Sequence, residues 1–498
     1  MVFSSFQFVL AFLPVTVVGF MILQRYGLLR ASSYWLIAAS LFFYAWWDYR
    51  YLLIPLGSVV FNYWLGKALL RPAQTGRGLL IFGIAMNLGL LGYYKYAGFF
   101  AENLVAIFGL PIAVPHIALP LAISFCTFQQ VSFLVDCHRK QVSHFDFRRY
   151  LLYIVFFPHL IAGPVVRHYE LLPQLEAPHD PTTRWRDITW GLHLFVIGLF
   201  KKTVFADAMA GYADPVFGAV TAGAAPSFLE AWGGALAYTF QLYFDFSGYA
   251  DMALGSARML GIILPQNFDS PYKAQSIADF WRRWHMTLSH FLRDYLYIPL
   301  GGSHHGSFRT YLNLFITMLL GGLWHGAAWT YVIWGAAHGA ALAVCHAWRD
   351  FSKKRGWSMP RSLAYALTML FVIVCWVIFR APNVGVAGKM LGAMFGAAPL
   401  VLPEELAFLS RWGGVFNDLT VTTTRNLGSL PDTKVFLYAL LLWLLCKYVP
   451  NSRQWTEERN FGTPETLTLG RCVLLSVMIS ICMVSMLAHK EVFIYYVF

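Results

Sequence analysis

The chain is a succession of apolar runs of roughly membrane length, and that feature narrows the fold most. A helix needs about 20 apolar residues to cross a bilayer upright. Candidate spans fall at 7–24, 33–46, 51–66, 78–94, 118–136, 150–165, 188–203, 228–245, 311–324, 329–347, 363–379, 434–449 and 470–488. Several are too short for an upright crossing, so some are expected to tilt, re-enter or lie buried in protein. The expectation is an all-α polytopic membrane protein with about 11 or 12 true crossings and one or two re-entrant segments. Only 12% of the 498 residues are charged, about half the share in a soluble domain. Length is therefore no guide to domain number, and one bundle is expected to use all of 1–498.

Basic residues set the orientation. The first loop carries Arg25 and Arg30, the second balances Asp48 with Arg50, and the third has Lys67, Arg71 and Arg77. The fourth, Lys95 to His116, is nearly neutral, and the fifth has Arg139, Lys140, Arg148 and Arg149. The alternation places the N-terminus outside. The start, MVFSSFQFVLAFLPVTVVGFMIL, lacks a basic n-region and a small-residue cleavage site, so it is expected to be retained as the first span. The net charge of +12 sits in short interhelical clusters, as in cytoplasmic loops, and is no nucleic-acid signal. Parity then fails. Lys201 and Lys202 mark a cytoplasmic helix end, and 252–310 also looks cytoplasmic, yet one span, 228–245, separates them. Either 204–222 dips into the membrane or 228–245 does not fully cross. Broken segments are tolerated where they line a cavity, which fits a site here.

Two stretches carry unusual chemistry. Leu319–Gly339, LLGGLWHGAAWTYVIWGAAHG, sets His325 beside Trp324 and among Gly321, Gly322 and Gly326. An ionisable group at membrane depth is a functional hypothesis by default, and the glycines permit close approach of a backbone or substrate. The bland alternative is a neutral histidine bonded to a carbonyl. His338 reads as structural. The second stretch is FWRRWHMTLSHFLRDYLYIPL (280–300). As a helix over 277–296 it presents Phe280, Trp284, Leu288, Phe291 and Tyr295 on one stripe. Arg282, His285, Ser289 and Arg293 fall opposite. Arginine clusters suit phosphate; an interfacial helix meeting lipid headgroups is the alternative.

Asp245 and Asp251 flank an expected Ser-Gly turn at Ser247 and Gly248. They are expected to orient a histidine, pair with Arg258 or Arg282, or cap a helix. Ser124, Thr127, Gln129, Gln130 and Ser132 lie inside a span and either glue helices together or line a tunnel. FFPHLIAGPVVR (156–167) is expected to hold a broken helix. Residues 381–433 read as an external cap or short interfacial helices, and the C-terminal EVFIYYVF as packed on the bundle or interface. The seven cysteines show no ligand spacing, so they read as reduced core thiols and no metal is expected. No GxSxG, P-loop or GxGxxG context occurs, and no inverted repeat of the transporter kind is visible.

Four blocks carry a family resemblance: YFDFSGYADMALGSARMLG (243–261), QNFDSPY (266–272), DFWRRWHMTLSHFLRDYLYIPLGG (279–302) and LLGGLWHGAAWTYVIWGAAHG (319–339). They resemble the membrane-bound O-acyltransferase family, most closely its alginate O-acetyltransferase type. FYAWW (43–47), 119–136, 156–167 and WVIFRAP (376–382) resemble further blocks. The resemblance implies many helices around a central funnel or tunnel. It implies a single O-acyltransferase domain with a catalytic core near 118–347 and peripheral helices over 1–117 and 348–498. It implies acyl transfer from a cytoplasmic thioester, acetyl-CoA, with no bound cofactor. The acceptor would be a hydroxyl on a secreted polysaccharide such as alginate, reached directly or through periplasmic partner proteins, at a bacterial inner membrane. The family's near-invariant histidine falls on His325 and its second polar position on His285. Arg282, Arg283, Arg293 and Lys273 would hold the donor phosphates, with Asp245, Asp251, Ser289, Trp324 and Trp284 in support. The similar teichoic acid D-alanine transferases have Asn in the block that here reads DFWRRWH. Other acceptors (cellulose, peptidoglycan, teichoic acid), a transporter or lipid-linked sugar flippase, and a secretion scaffold are the alternatives.

Overall fold

A computed structural model describes residues 1–71, 76–115, 117–161, 163–176, 182–398, 434–457 and 469–488. All regular structure among them is helical. Among the described residues, five helices are long and apolar enough to cross a membrane on their own: Gln7–Arg25, Leu29–Leu70, Gly76–Phe108, Arg361–Arg380 and Leu469–Ala488. The other expected spans are shorter, broken or polar on one side. A helix shielded by protein need not be apolar all round. The Asp48/Arg50 loop is a single 3₁₀ turn, Tyr49–Leu52, opened by the Asp48 carboxylate accepting from the Arg50 N–H at 2.9 Å. Residues 399–433 and the C-terminal EVFIYYVF lie outside the described residues; the rest of 381–433 contains one helix, Val384–Met394.

The contacts divide the chain into two compact units. The first comprises Met1–Phe200, Gly248–Asn267 and Ser452–Phe498. The polar residues of 119–136 act there as glue. Ser58 donates to the Gln130 side-chain Oε1 at 2.7 Å, Asn62 donates to it at 3.2 Å, and the Asn62 and Asn87 side chains exchange bonds of 3.0 and 2.7 Å. Such bonds contribute about 0.6 to 2 kcal/mol each at membrane depth. The FFPHLIAGPVVR helix breaks as expected: Phe147–Val155 ends at Phe156, and Phe157–Leu160 restarts.

Glycines set the closest approach in this unit. A Cβ on Gly191 would lie 2.6 Å from the Gly255 carbonyl oxygen, and one on Gly198 would lie 2.5 Å from that of Gly248. Helix Arg184–Phe200 therefore packs backbone to backbone, at two levels seven residues apart, on the end of helix Phe228–Met259. This corrects the expected Ser247–Gly248 turn. The helix runs unbroken through both residues, and Gly248 serves close packing.

The second unit comprises Lys201–Ser247 and Phe268–Asn451. Residues 204–222, expected as a possible dip, form a π-helical turn, Lys201–Ala206, followed by helix Asp207–Thr221. Gly306–His325 and Trp329–Arg355 form a tight helical hairpin. A Cβ on Gly335 would lie 2.5 Å from the Met318 carbonyl oxygen, and one on Gly339 would lie 2.8 Å from Phe315 Cα. These glycines let the two backbones touch directly.

Candidate active site

The hairpin ends at His325. Its helix stops because the next residue, Gly326, is extended, and a side chain at 326 would run into the Tyr331 ring. His325 is buried at this corner. Three aromatic rings enclose its imidazole: Trp324 at 5.0 Å, Trp334 at 5.2 Å edge-on and Phe379 at 5.3 Å edge-on. Sequence reasoning selected Trp324 but missed Trp334 and Phe379. The signal for both was present, since Trp334 lies in the His325 block and Phe379 in WVIFRAP.

His285 reaches the same wall from a different device, and here the structure corrects the sequence expectation. Residues 277–296 are not one helix. Helix Ile277–Arg283 is capped by Ser276, whose hydroxyl accepts from the Asp279 N–H at 3.1 Å. It stops at Trp284, which is extended. His285 adopts a left-handed φ of 44°, and Met286–Leu292 restarts the helix. The break is held by the Arg283 carbonyl, which accepts from the Asp269 N–H at 2.9 Å. The Ser289 hydroxyl donates back to the Trp281 carbonyl at 3.1 Å. A left-handed non-glycine residue stores about 1–3 kcal/mol of strain, and such residues cluster at functional sites.

The left-handed turn leaves His285 buried while Arg282 and Arg293, its expected partners on one stripe, stay outside. His285 is 1% exposed, whereas the side chain of Arg282 is 74% exposed and that of Arg293 is 57% exposed. The expected polar stripe joining them therefore does not exist. The apolar stripe holds better: Phe280, Trp284, Leu288 and Phe291 are all buried. The His285 imidazole meets the edge of Phe246 at 4.8 Å and Trp324 at 6.4 Å. Trp324 thus touches both histidines, and the two imidazoles lie no farther apart than the sum of those two ring contacts. Trp284 packs away from them, against Trp376 at 4.9 Å and Phe268 at 5.1 Å.

The arginines are ion-paired. Arg283 bonds Asp279 at 3.1 Å, Arg282 lies 3.7 Å from the same carboxylate, and Arg293 bonds Asp294 at 2.7 Å. Lys273 donates to the Val449 carbonyl at 3.2 Å. Such pairs on half-exposed or exposed side chains are worth about 0–1 kcal/mol, so they do not lock the arginines against an incoming anion.

Asp245 also differs from expectation. Asp245 pairs with neither Arg258 nor Arg282. It bonds Lys202 at 2.7 Å, and Lys202 bonds Asp207 at 2.8 Å, with Asp245 and Lys202 both buried. Lys202 is thus a core cation and not a loop charge of the kind that the orientation count assumes. Arg258, in the first unit, bonds Asp187 at 2.7 Å and lies 4.2 Å over the Trp190 ring. Asp251 lines a cavity of about 270 Å³ in that unit, beside Trp190, Arg258, Gln266 and Arg453.

The described residues thus form an all-helical chain with membrane-length apolar helices and two buried imidazoles against one tryptophan. Residues 12–384 match the family described as MBOAT, membrane-bound O-acyltransferase, and the chain belongs to that family. The peptidoglycan O-acetyltransferase of Helicobacter pylori is 40% identical, covering 96% of this chain and 94% of its own. The protein of Pseudomonas aeruginosa named probable alginate O-acetylase AlgI is 43% identical, covering 81% of this chain and 76% of its own. The teichoic acid D-alanyltransferase of Bacillus subtilis is 29% identical, covering 52% of this chain and 68% of its own. The chain is thus a multi-pass membrane O-acyltransferase, which removes the transporter and scaffold alternatives.

Proposed function

We propose that this enzyme moves an acetyl group from acetyl-CoA, on the cytoplasmic side of the bacterial inner membrane, to a hydroxyl of a cell-surface or secreted polysaccharide. The transfer is direct or passes through a periplasmic partner protein. The whole chain serves as one catalytic domain, with its core near 118–347 and its N-terminus periplasmic. The observation that carries the reading is the pair of buried histidines, His325 and His285, each in ring contact with Trp324. His325 acts as general base. It takes the proton of the acceptor hydroxyl as the oxygen attacks the thioester carbonyl. The new C–O ester bond forms, the C–S bond breaks, and the proton passes to the departing thiolate. A positioned histidine contributes about 10²–10⁴-fold in this role.

His285 orients the donor and polarises its carbonyl. Arg282, Arg283, Arg293 and Lys273 hold the donor phosphates. The aromatic enclosure keeps water from the thioester. Alginate is one candidate acceptor, by likeness to the Pseudomonas protein. Peptidoglycan is the second reading, favoured by a match that spans 96% of this chain. The test uses vesicles holding the full-length protein, labelled acetyl-CoA and each polymer in turn. His325→Ala is expected to insert and melt like the parent and to transfer no label. Transfer at the parental rate by that variant refutes the assignment.

A further inference from the structure

A third histidine is built into the same unit, and the chemistry above gives it no part. His338 lies on helix Trp329–Arg355 and is fully buried. Its Nδ1 accepts a hydrogen bond from the Trp281 indole N–H at 3.2 Å. A ring nitrogen that accepts carries no proton, so in the neutral ring the proton sits on Nε2. Burying a polar ring costs free energy that an apolar side chain of similar shape would avoid. Packing alone therefore does not account for an imidazole here.

What His338 touches suggests its use. Trp281 ends one turn before His285, on the short helix that leads into the left-handed corner, and its carbonyl accepts the Ser289 hydroxyl that bridges the break. On its other side His338 meets the Trp334 ring at 4.7 Å, and Trp334 meets His325 at 5.2 Å. Trp281 and Trp334 also meet each other, at 5.8 Å. His338 is thus bonded to the segment that carries His285 and packed on the residue that walls His325.

We infer that His338 is a positioning residue, whose Nδ1 bond to Trp281 and ring contact with Trp334 fix the placement of His285 relative to His325. The inference rests on the acyl-transfer reading. It makes a demand on individual atoms. Asparagine sets its carbonyl oxygen near the position of Nδ1 and can accept from Trp281. Glutamine carries its oxygen one bond farther, toward Nε2. Leucine fills the space with no acceptor.

The experiment compares His338→Asn, His338→Gln, His338→Leu and Trp281→Phe in the full chain, by labelled acetyl transfer from acetyl-CoA with a thermal melt of each. His338→Leu is expected to lower kcat about 10²-fold with the donor KM unchanged, the scale of a roughly 1 Å misplacement. Asparagine restores most of that loss and glutamine does not. Trp281→Phe, which deletes only the donor and keeps a ring, gives the same kcat loss, and adding His338→Leu to it costs little more. A parental kcat in His338→Leu overturns the inference, as does an asparagine variant no better than leucine at equal melting temperature. If the leucine variant does not insert, Trp281→Phe decides alone, and a parental kcat there overturns it. Failure of the acyl-transfer reading shows differently, because the parent protein itself then transfers no label.

Discussion

Gly322→Ala separates the stability of the hairpin from its accuracy. A Cβ at 322 would press on the Tyr331 carbonyl oxygen and lie 2.8 Å from Gly335 Cα. Carbon atoms rest about 3.5 Å apart or more, so helix Trp329–Arg355 must retreat by about 0.7 Å at Gly335. Both obstacles are backbone, and no rotamer change relieves them. Overpacking of this kind costs about 1–3 kcal/mol, while replacing a helical glycine by alanine returns about 1 kcal/mol. The net effect on the melt is therefore small. The effect on chemistry is large, because His325 is one turn away and a displacement near 1 Å costs about 10²-fold in rate. Gly321→Ala is the control. It gains the same helix propensity, and its Cβ would meet only the end of the Leu292 side chain, at 3.2 Å, which can swing aside. Labelled acetyl transfer in vesicles and a thermal melt read both variants. Gly321→Ala should keep nearly parental activity and Gly322→Ala should lose most of it. Equal activity in the two, or full activity in Gly322→Ala, refutes the claim that backbone contact sets the position of His325.

Two further outcomes are expected. Lys202→Met removes the cation that pairs with the buried Asp245 carboxylate and with Asp207 and should destabilise the protein by about 3–5 kcal/mol, read as a lowered melt and poor membrane yield. Adding Asp245→Asn should recover part of the loss. His285→Gly removes the left-handed strain at φ 44° and should hold or raise the melting temperature while acetyl transfer falls. A lower melting temperature would show that the ring contacts of His285 with Phe246 and Trp324 outweigh its backbone cost.

The fold class was legible because apolar runs and sparse charge leave a membrane chain few choices. The broken helix at Phe156 was legible from its prolines and glycine. The break at Trp284–His285 was not. It has no glycine or proline, and the two short helices resume close enough to register that the buried stripe from Phe280 to Phe291 continues across it. Periodicity reports which residues face inward but is blind to a single left-handed residue that turns one side chain from the polar to the buried set. The burial of Lys202 was hidden for a related reason. Counting basic residues assumes each lies in a loop, whereas its partner Asp245 is brought beside it only by tertiary packing. The packing of Gly191 and Gly198 on Gly255 and Gly248 had a readable signal, since both helices carry glycines seven residues apart. That spacing repeats one face of a helix every two turns, so a Ser-Gly pair inside such a pattern indicates helix contact and not a turn.

The two histidines come from structurally unlike places, and the proposed acyl transfer would explain why. Imidazoles three or four residues apart on one helix stand side by side on its surface, with no room between them for two substrates. Here His325 sits at the end of a hairpin whose helices touch through glycine backbones, and His285 sits on a corner held by the bonds to Asp269 and Ser289. The first device is rigid through steric contact, the second through hydrogen bonds and a strained φ. Trp324 contacts both rings with a side chain that cannot compete for a proton as an acceptor. The arrangement leaves each imidazole's chemistry to its substrate and gives the task of alignment to aromatic rings, glycines and His338. Rate should therefore be more sensitive than stability to changes in that supporting set, and the contrast between Gly321 and Gly322 tests this directly.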